Sequence, residues 1–164
     1  MTWWSGKVRQ VGSYLGARVS LADRAGLATT LTPPQLFLFD SMHVADQRHG
    51  LDVMAALAAD GAAADDPELL LAGLFHDAAK GPTVGLLHRV SWSLGERYGS
   101  WVWSVVRPLP GFASAHARLR DHAEASAALA LGAGCTARTA ALIRAQAAPD
   151  DAPGRRLHHA DEAH

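Results

Sequence analysis

The chain has 164 residues, 49% hydrophobic and 19% charged, which suits one domain with a real core and excludes an intrinsically disordered protein. A net charge of -1, with neutral histidines, gives no global field for nucleic acid, and the single cysteine excludes internal disulfides and thiolate metal clusters. Apolar runs are too short to predict a membrane span, and the first ten residues lack the pattern of a signal peptide, so we expect a cytoplasmic protein.

Helical periodicity, capping residues and alanine dominate the chain, and strand signals are scarce. These features predict an all-α fold, a single compact bundle of about six to eight helices. Residues 1–40 are expected to form an N-terminal helical extension, beginning with a helix over residues 5–18, that packs on the core. Residues 41–164 are expected to form the main domain.

Within the main domain, a helix carrying His49 is predicted to end at Gly61. The next helix has the clearest start, because an aspartate pair, Pro67 and Glu68 form a cap and first turn, and we expect it to reach Lys80. Later helices are predicted from Thr83 to Tyr98, over residues 114–131, from the cap Thr136 to Gln146, and from near Arg155 onward. The segment from Trp101 to Val106 could continue the Thr83 helix or form a separate turn.

The pair His76-Asp77, in LLLAGLFHDAAKG, is the most informative feature of the sequence. Burying an imidazole and a carboxylate beside such an apolar run is unfavourable unless each has a partner. A divalent first-row metal suits both side chains. Two further ligands can be sought by type and setting in His49, upstream, and in Asp161, near the last residues of the chain.

The ordered set His49, His76-Asp77 and Asp161 resembles the HD superfamily of metal-dependent phosphohydrolases. The flanking segments DQRHGLDV and AGLFHDAAKG agree, as does the alanine before Asp161, and the resemblance covers roughly residues 40–164. It implies an HD-domain-like helical fold and a metal held by these four side chains. For the last ligand, Asp46, Asp52 and Asp121 remain alternatives by residue type.

Many proteins of this superfamily hold a second metal through two additional histidines, with the aspartate of the doublet bridging both ions. His122 matches the first of these histidines and could contact a second metal or a phosphate. Gln146 stands where the second is expected, and glutamine is a poor ligand for such ions, so the second ion is doubtful. We therefore expect one divalent ion, which could be Mn, Fe, Co, Ni or Zn.

Other polar residues near these motifs are candidate substrate contacts. Lys80 is similar to the lysine of the HDxxK group, which contacts substrate phosphate, and we assign it a catalytic role with Asp77; its alternative is a favourable cation at a helix C-terminus. Arg48, His88 and Arg89 are weaker candidates for substrate binding.

The function implied is hydrolysis of a small phosphorylated substrate, a phosphomonoester or phosphodiester that is nucleotide-like, by metal-activated water. No specific nucleic acid binding is expected, and a homo-oligomer is compatible with the sequence. The alternative is a non-catalytic HD module that binds a nucleotide or a partner protein, which the loss of a histidine at Gln146 favours. An HD-type oxygenase is a third reading, but it normally needs two irons.

Overall fold

The computed structural model describes residue 12, residues 14–61 and residues 63–164. Over these residues the chain is all-helical and contains no strand, as predicted. The helical elements, somewhat more numerous than the six to eight expected, are α1 Leu21–Thr30, α2 Pro33–Ser41, α3 Val44–Ala59, α4 Pro67–Phe75, a 3-10 turn Ala78–Lys80, α5 Leu86–Tyr98, α6 Trp101–Val106, α7 Phe112–Gly132, α8 Ala137–Arg144 and α9 Ala152–Ala163. The helix predicted over residues 5–18 lies largely outside the described residues, although residues 14–16 are helical.

Side-chain caps set several helix starts. Asp66 accepts a hydrogen bond from the backbone N–H of Leu69 at the start of α4, and Thr136 accepts one from Thr139 at the start of α8. Both helices begin where the sequence predicted. The last helix begins earlier than the predicted Arg155, because Asp151 caps it through the N–H of Gly154 and a proline occupies its first turn.

Two predicted boundaries are wrong. Helix α4 ends at Phe75 rather than Lys80, and the following residues tighten into the 3-10 turn, where Ala79 N–H donates to Ser126 Oγ instead of to a carbonyl of its own helix. Helix α5 starts at Leu86 rather than Thr83, because residues 83–85 form a turn that buries Val84 completely. Gly99, with φ of 108°, then separates α5 from α6.

Helix α4 lies at the centre of the bundle and packs against α3, α7, α8 and α9. Leu69, Ala72, Leu74 and Phe75 are at most 1% exposed, so α4 is apolar on nearly every side, as a central helix must be. Residues from α1 and α2 join the same core cluster, among them Leu27 and Phe39. A second, smaller cluster lies between α5 and α7 and contains Val84, Ala115 and Leu119, with Trp92 packed against it.

None of the helices in the described part of the chain combines the length and the apolar character needed to cross a bilayer.

Candidate metal centre

Three helices bring His49, His76 and Asp161 together, although 112 residues separate the first from the last. One potential ligand atom from each lies within 4.8 Å of the others. The Asp161 Oδ1 atom is 2.8 Å from His49 Nε2 and 3.3 Å from His76 Nε2. The resemblance implies that these three residues and Asp77 converge, and the fold brings these three within one group.

His76 is almost fully buried and has an unpartnered nitrogen. Its Nδ1 lies 2.9 Å from the carbonyl oxygen of Gly73, which can only accept, so Nδ1 carries the proton of a neutral ring. The Nε2 lone pair then faces Asp161 and Asp77, at 3.3 Å and 3.6 Å, without a well-aligned hydrogen bond. A lone pair opposed to two carboxylates requires a cation between them, which is a proton or a metal ion.

The pKa of His76 reflects this surplus of negative charge. Burial lowers the pKa, but the negative charges of Asp77 and Asp161, 3.6 Å and 3.3 Å from Nε2, raise it more, to about 9. The cluster therefore attracts positive charge strongly. The two imidazoles and the Asp161 carboxylate converge, and Asp77 lies 3.6 Å from His76 Nε2; this donor set fits a first-row divalent ion, as the motifs imply.

Asp77 links this cluster to a second group of polar residues. Its Oδ2 pairs with Lys80 and lies near His76, while its Oδ1 is 3.5 Å from His122 Nε2. Burial raises the pKa of Asp77, but Lys80 and His76 hold it well below the ordinary range, so Asp77 is ionised. An ionised carboxylate with one oxygen toward each group can act as a bridge between them.

Close helix packing places His49 beside His76. A Cβ on Gly50 would collide with the backbone carbonyl oxygen of Leu74, so α3 can approach α4 this closely only because residue 50 is glycine. The two imidazole rings consequently meet edge to face, with centroids 5.1 Å apart. The signal for this contact was present in the sequence as the glycine that follows His49, but it was not used.

Asp161 is carried by α9, which packs on α3 and α4 through Leu157 and Ala160. Its side chain is 35% exposed, compared with 23% for His49 and 1% for His76. Burial raises the pKa of Asp161, but the hydrogen bond with His49 and the nearby His76 imidazole lower it by more, so this carboxylate is also ionised. The cluster therefore opens to solvent on the side of Asp161 and His49.

The position at which a second-site histidine was expected holds the buried Gln146. Its Nε2 is 3.2 Å from His122 Nε2 and 3.4 Å from the carbonyl oxygen of His76, while its Oε1 has no partner among the described residues. His122 donates through Nδ1 to the carbonyl oxygen of Leu119, and burial lowers its pKa, so its Nε2 accepts from the amide. An amide hydrogen bond thus occupies the Nε2 lone pair that would bind a second ion.

The weaker candidates make other contacts. Arg48 pairs with Asp52 and Asp23, and Arg89 pairs with the buried Asp46 and donates to the carbonyl oxygen of Val84. His88 accepts from the N–H of Gly85 at the start of α5. Their assignment to substrate remains a prediction.

The alternative carboxylates for the last ligand position are all paired with arginine. Asp46 pairs with Arg89, Asp52 with Arg48, and Asp121 with Arg120. Asp161 is the carboxylate that joins His49 and His76 in the described structure.

Sequence reasoning also missed Ser126, whose side chain is completely buried and binds the 3-10 turn to α7. The signal available in the sequence was the spacing, because a serine four residues after His122 lies on the same face of the helix.

Comparisons of the chain with protein-family models, with curated proteins and with solved structures found no match.

Proposed function

We propose that this protein is a metal-dependent phosphohydrolase of the HD type that acts on a small phosphorylated substrate. The observation that carries the proposal is the buried His76 Nε2, which has no partner and faces two ionised carboxylates beside His49. Buried polar atoms usually have hydrogen-bond partners, so an unpartnered imidazole nitrogen between two carboxylates supports a ligand position.

The residues that would hold the metal are His49, His76, Asp77 and Asp161. When bound, a divalent ion lowers the pKa of its water and polarises a phosphoryl oxygen. The hydrogen bond from His76 Nδ1 to Gly73 fixes the ring so that Nε2 faces the ligand position. We propose one ion rather than two, because the amide of Gln146 engages His122.

Asp77 and Lys80 are the proposed catalytic residues. Asp77 is ionised and buried, so it can orient a water by accepting a hydrogen bond. Lys80 neutralises Asp77 through one N–H and is partly exposed, with two more donors for a phosphate oxygen.

The test is elemental analysis of protein purified without chelator, combined with hydrolysis assays. We expect about one transition metal per chain and turnover of phosphomonoesters, phosphodiesters or nucleotides after loading in turn with Mn, Fe, Co, Ni and Zn. Asp77→Ala should abolish metal retention and turnover, whereas the control Asp121→Ala, at an exposed aspartate paired with Arg120, should change neither.

Lys80→Ala separates catalysis from binding. It should keep the metal and slow turnover roughly ten- to a thousandfold, because one preorganised charge near the developing oxyanion is lost. A protein that keeps its metal but hydrolyses none of these substrates would contradict the proposal. That outcome would favour the non-catalytic module, which the amide at Gln146 and the lack of an acidic residue among Ala78, Ala79 and Lys80 also support.

A further inference from the structure

One face of α7 lies along the turn that follows the His76-Asp77 pair. Arg118, His122 and Ser126 are spaced by four residues, so they share this face. Ser126 Oγ accepts from Ala79 N–H at 3.0 Å, and His122 Nε2 lies 3.5 Å from Asp77 Oδ1. Arg118 continues the series one helical turn further toward the start of α7.

Arg118 reaches the end of the 3-10 turn, next to Lys80. Its Nη1 lies 2.9 Å from the place that a Cβ on Gly81 would occupy. Gly81 has φ of 73°, a backbone conformation that favours glycine, and a Cβ there would require the Arg118 guanidinium to shift. The cations of Arg118 and Lys80 therefore flank the same turn, on the His122 side of the centre.

The guanidinium of Arg118 is exposed and has no hydrogen-bond or ion-pair partner among the described residues. The other arginines of α7 and α8 have carboxylate partners: Arg120 pairs with Asp121, Arg144 with Glu124, and Arg138 with Asp66 and Glu68. An unpaired arginine beside a proposed phosphate-reacting centre is available to bind an anion. Its planar fork matches two phosphate oxygens at once.

We propose that Arg118 binds the terminal phosphate of the substrate, and that the preferred substrate class is a phosphomonoester dianion rather than a diester. This inference rests on the proposed function. With a divalent ion bound, the ion, Asp77, Asp161, Lys80 and Arg118 would together carry a net charge of about +2. That net charge matches a dianion better than the single charge of a diester.

The experiment titrates inorganic phosphate into the purified, metal-loaded protein by isothermal titration calorimetry. Arg118→Ala should weaken phosphate binding about tenfold or more, because a charge-assisted bidentate contact is lost. Arg118→Lys, which keeps the charge but not the fork, should give an intermediate affinity. Arg120→Ala, at an exposed arginine of the same helix that already has a carboxylate partner, should bind as the parent does.

A kinetic comparison tests the substrate class. For an aryl phosphomonoester and the matching diester, Arg118→Ala should lower kcat/KM for the monoester by a larger factor than for the diester. Equal factors would overturn the preference for a dianion. Unchanged phosphate affinity in Arg118→Ala, or no phosphate binding by the parent, would overturn the assignment of Arg118.

These outcomes are separable from failure of the proposed function. If phosphate binding depends on Arg118 but no phosphoester is hydrolysed, the anion site stands and the hydrolase proposal fails. If phosphoesters are hydrolysed with or without Arg118 at the same rate, the hydrolase proposal stands and this inference fails. Because Arg118 is exposed, circular dichroism of each variant should match the parent, and the charge-retaining Arg118→Lys provides a second measurement.

Discussion

The helices around the candidate metal centre differ strongly in burial from the α5–α6 region, Leu86–Val106. Around the centre, α4 is buried on nearly every side, and its apolar residues belong to one continuous core. In the α5–α6 region, α6 has no buried residue, and Trp101 and Val105 are 62% and 67% exposed. The region is attached to α7 through a small cluster and through edge contacts of Trp92 and Trp103 with His116.

The buried helices around the candidate centre should be rigid, whereas the exposed α5–α6 region should open more easily. The candidate ligands, on α3, at the end of α4 and on α9, are fixed by close-packed backbone, which is the support that a metal site needs to hold its geometry. The α5–α6 region has few buried apolar contacts, so it should open locally at a lower free energy than the core does. Changes in the two regions should therefore differ in size and in their effect on the centre.

The largest effect is expected for Leu74→Ala, which removes a completely buried side chain from α4. The free energy of unfolding should fall by about 3 to 5 kcal/mol, the sum of lost burial and a cavity. The matched change Val105→Ala, on the exposed α6, should alter it by less than about 0.5 kcal/mol. Chemical denaturation measures both, and equal losses would show that the two regions do not differ as described.

The second prediction concerns Gly50→Ala. A Cβ there meets the carbonyl of Leu74, so α3 and α4 must separate, at a loss of roughly 1 to 3 kcal/mol. Because His49 and His76 lie at this crossing, metal affinity should fall as well. Gly132→Ala is the control, since a Cβ at this helical position meets nothing within 4 Å and should be neutral or stabilising. If Gly50→Ala kept both stability and metal content, the crossing would not fix the centre.

Much of this organisation could be predicted from the sequence. The caps Asp66 and Thr136 could be identified because side-chain capping is a local interaction. The convergence of His49, His76 and Asp161 followed from the family resemblance that the order of the motifs carries. The end of α4 at Phe75 could not be predicted, because the hydrogen bond from Ala79 to Ser126 spans 47 residues and competes with helix continuation only in the folded chain.

Arg118 was missed for the same physical reason. Its position beside Gly81 depends on how α7 lies along the 3-10 turn, and nothing local to Arg118 distinguishes it from the many other arginines. Sequence motifs likewise do not predict the ion pair of Asp46 with Arg89, which are 43 residues apart. Local interactions and the order of the motifs could be recognised in the sequence, whereas polar partners distant in the chain could not.

The third prediction uses the rigidity of the core to add a ligand. Gln146→His should raise metal content from about one toward two ions per chain, because His122 lies 3.5 Å from Asp77 and Asp77 can bridge. Gln47→His is the control, since Gln47 binds the carbonyl oxygens of Phe39 and Met42 instead. Elemental analysis with anomalous scattering counts the ions. Two tightly bound ions in the parent protein would contradict the role given to Gln146.

The smallest effect concerns the pH dependence of the α5–α6 region. His116 is buried against Trp92, Trp103 and Phe112, and its Nε2 is 2.8 Å from Ser91 Oγ. Burial, and then the nearby His88, lower the pKa of His116 below its usual 6.5, and no carboxylate pairs with it among the described residues.

The unfolded region therefore binds a proton more readily than the folded one between these two pKa values. The contribution of neutral His116 to the stability of the region should be fully present above about pH 6.5. It should be lost as the pH falls from there through the lowered pKa of His116 in the folded state. Hydrogen exchange of α5 and α6 amides, with tryptophan fluorescence, should show opening in acid that spares α4. His116→Gln, which can still bind Ser91 but does not titrate, should remove this pH dependence. If parent and variant open equally in acid, then other groups cause the opening, and the α5–α6 region is not weakened through His116.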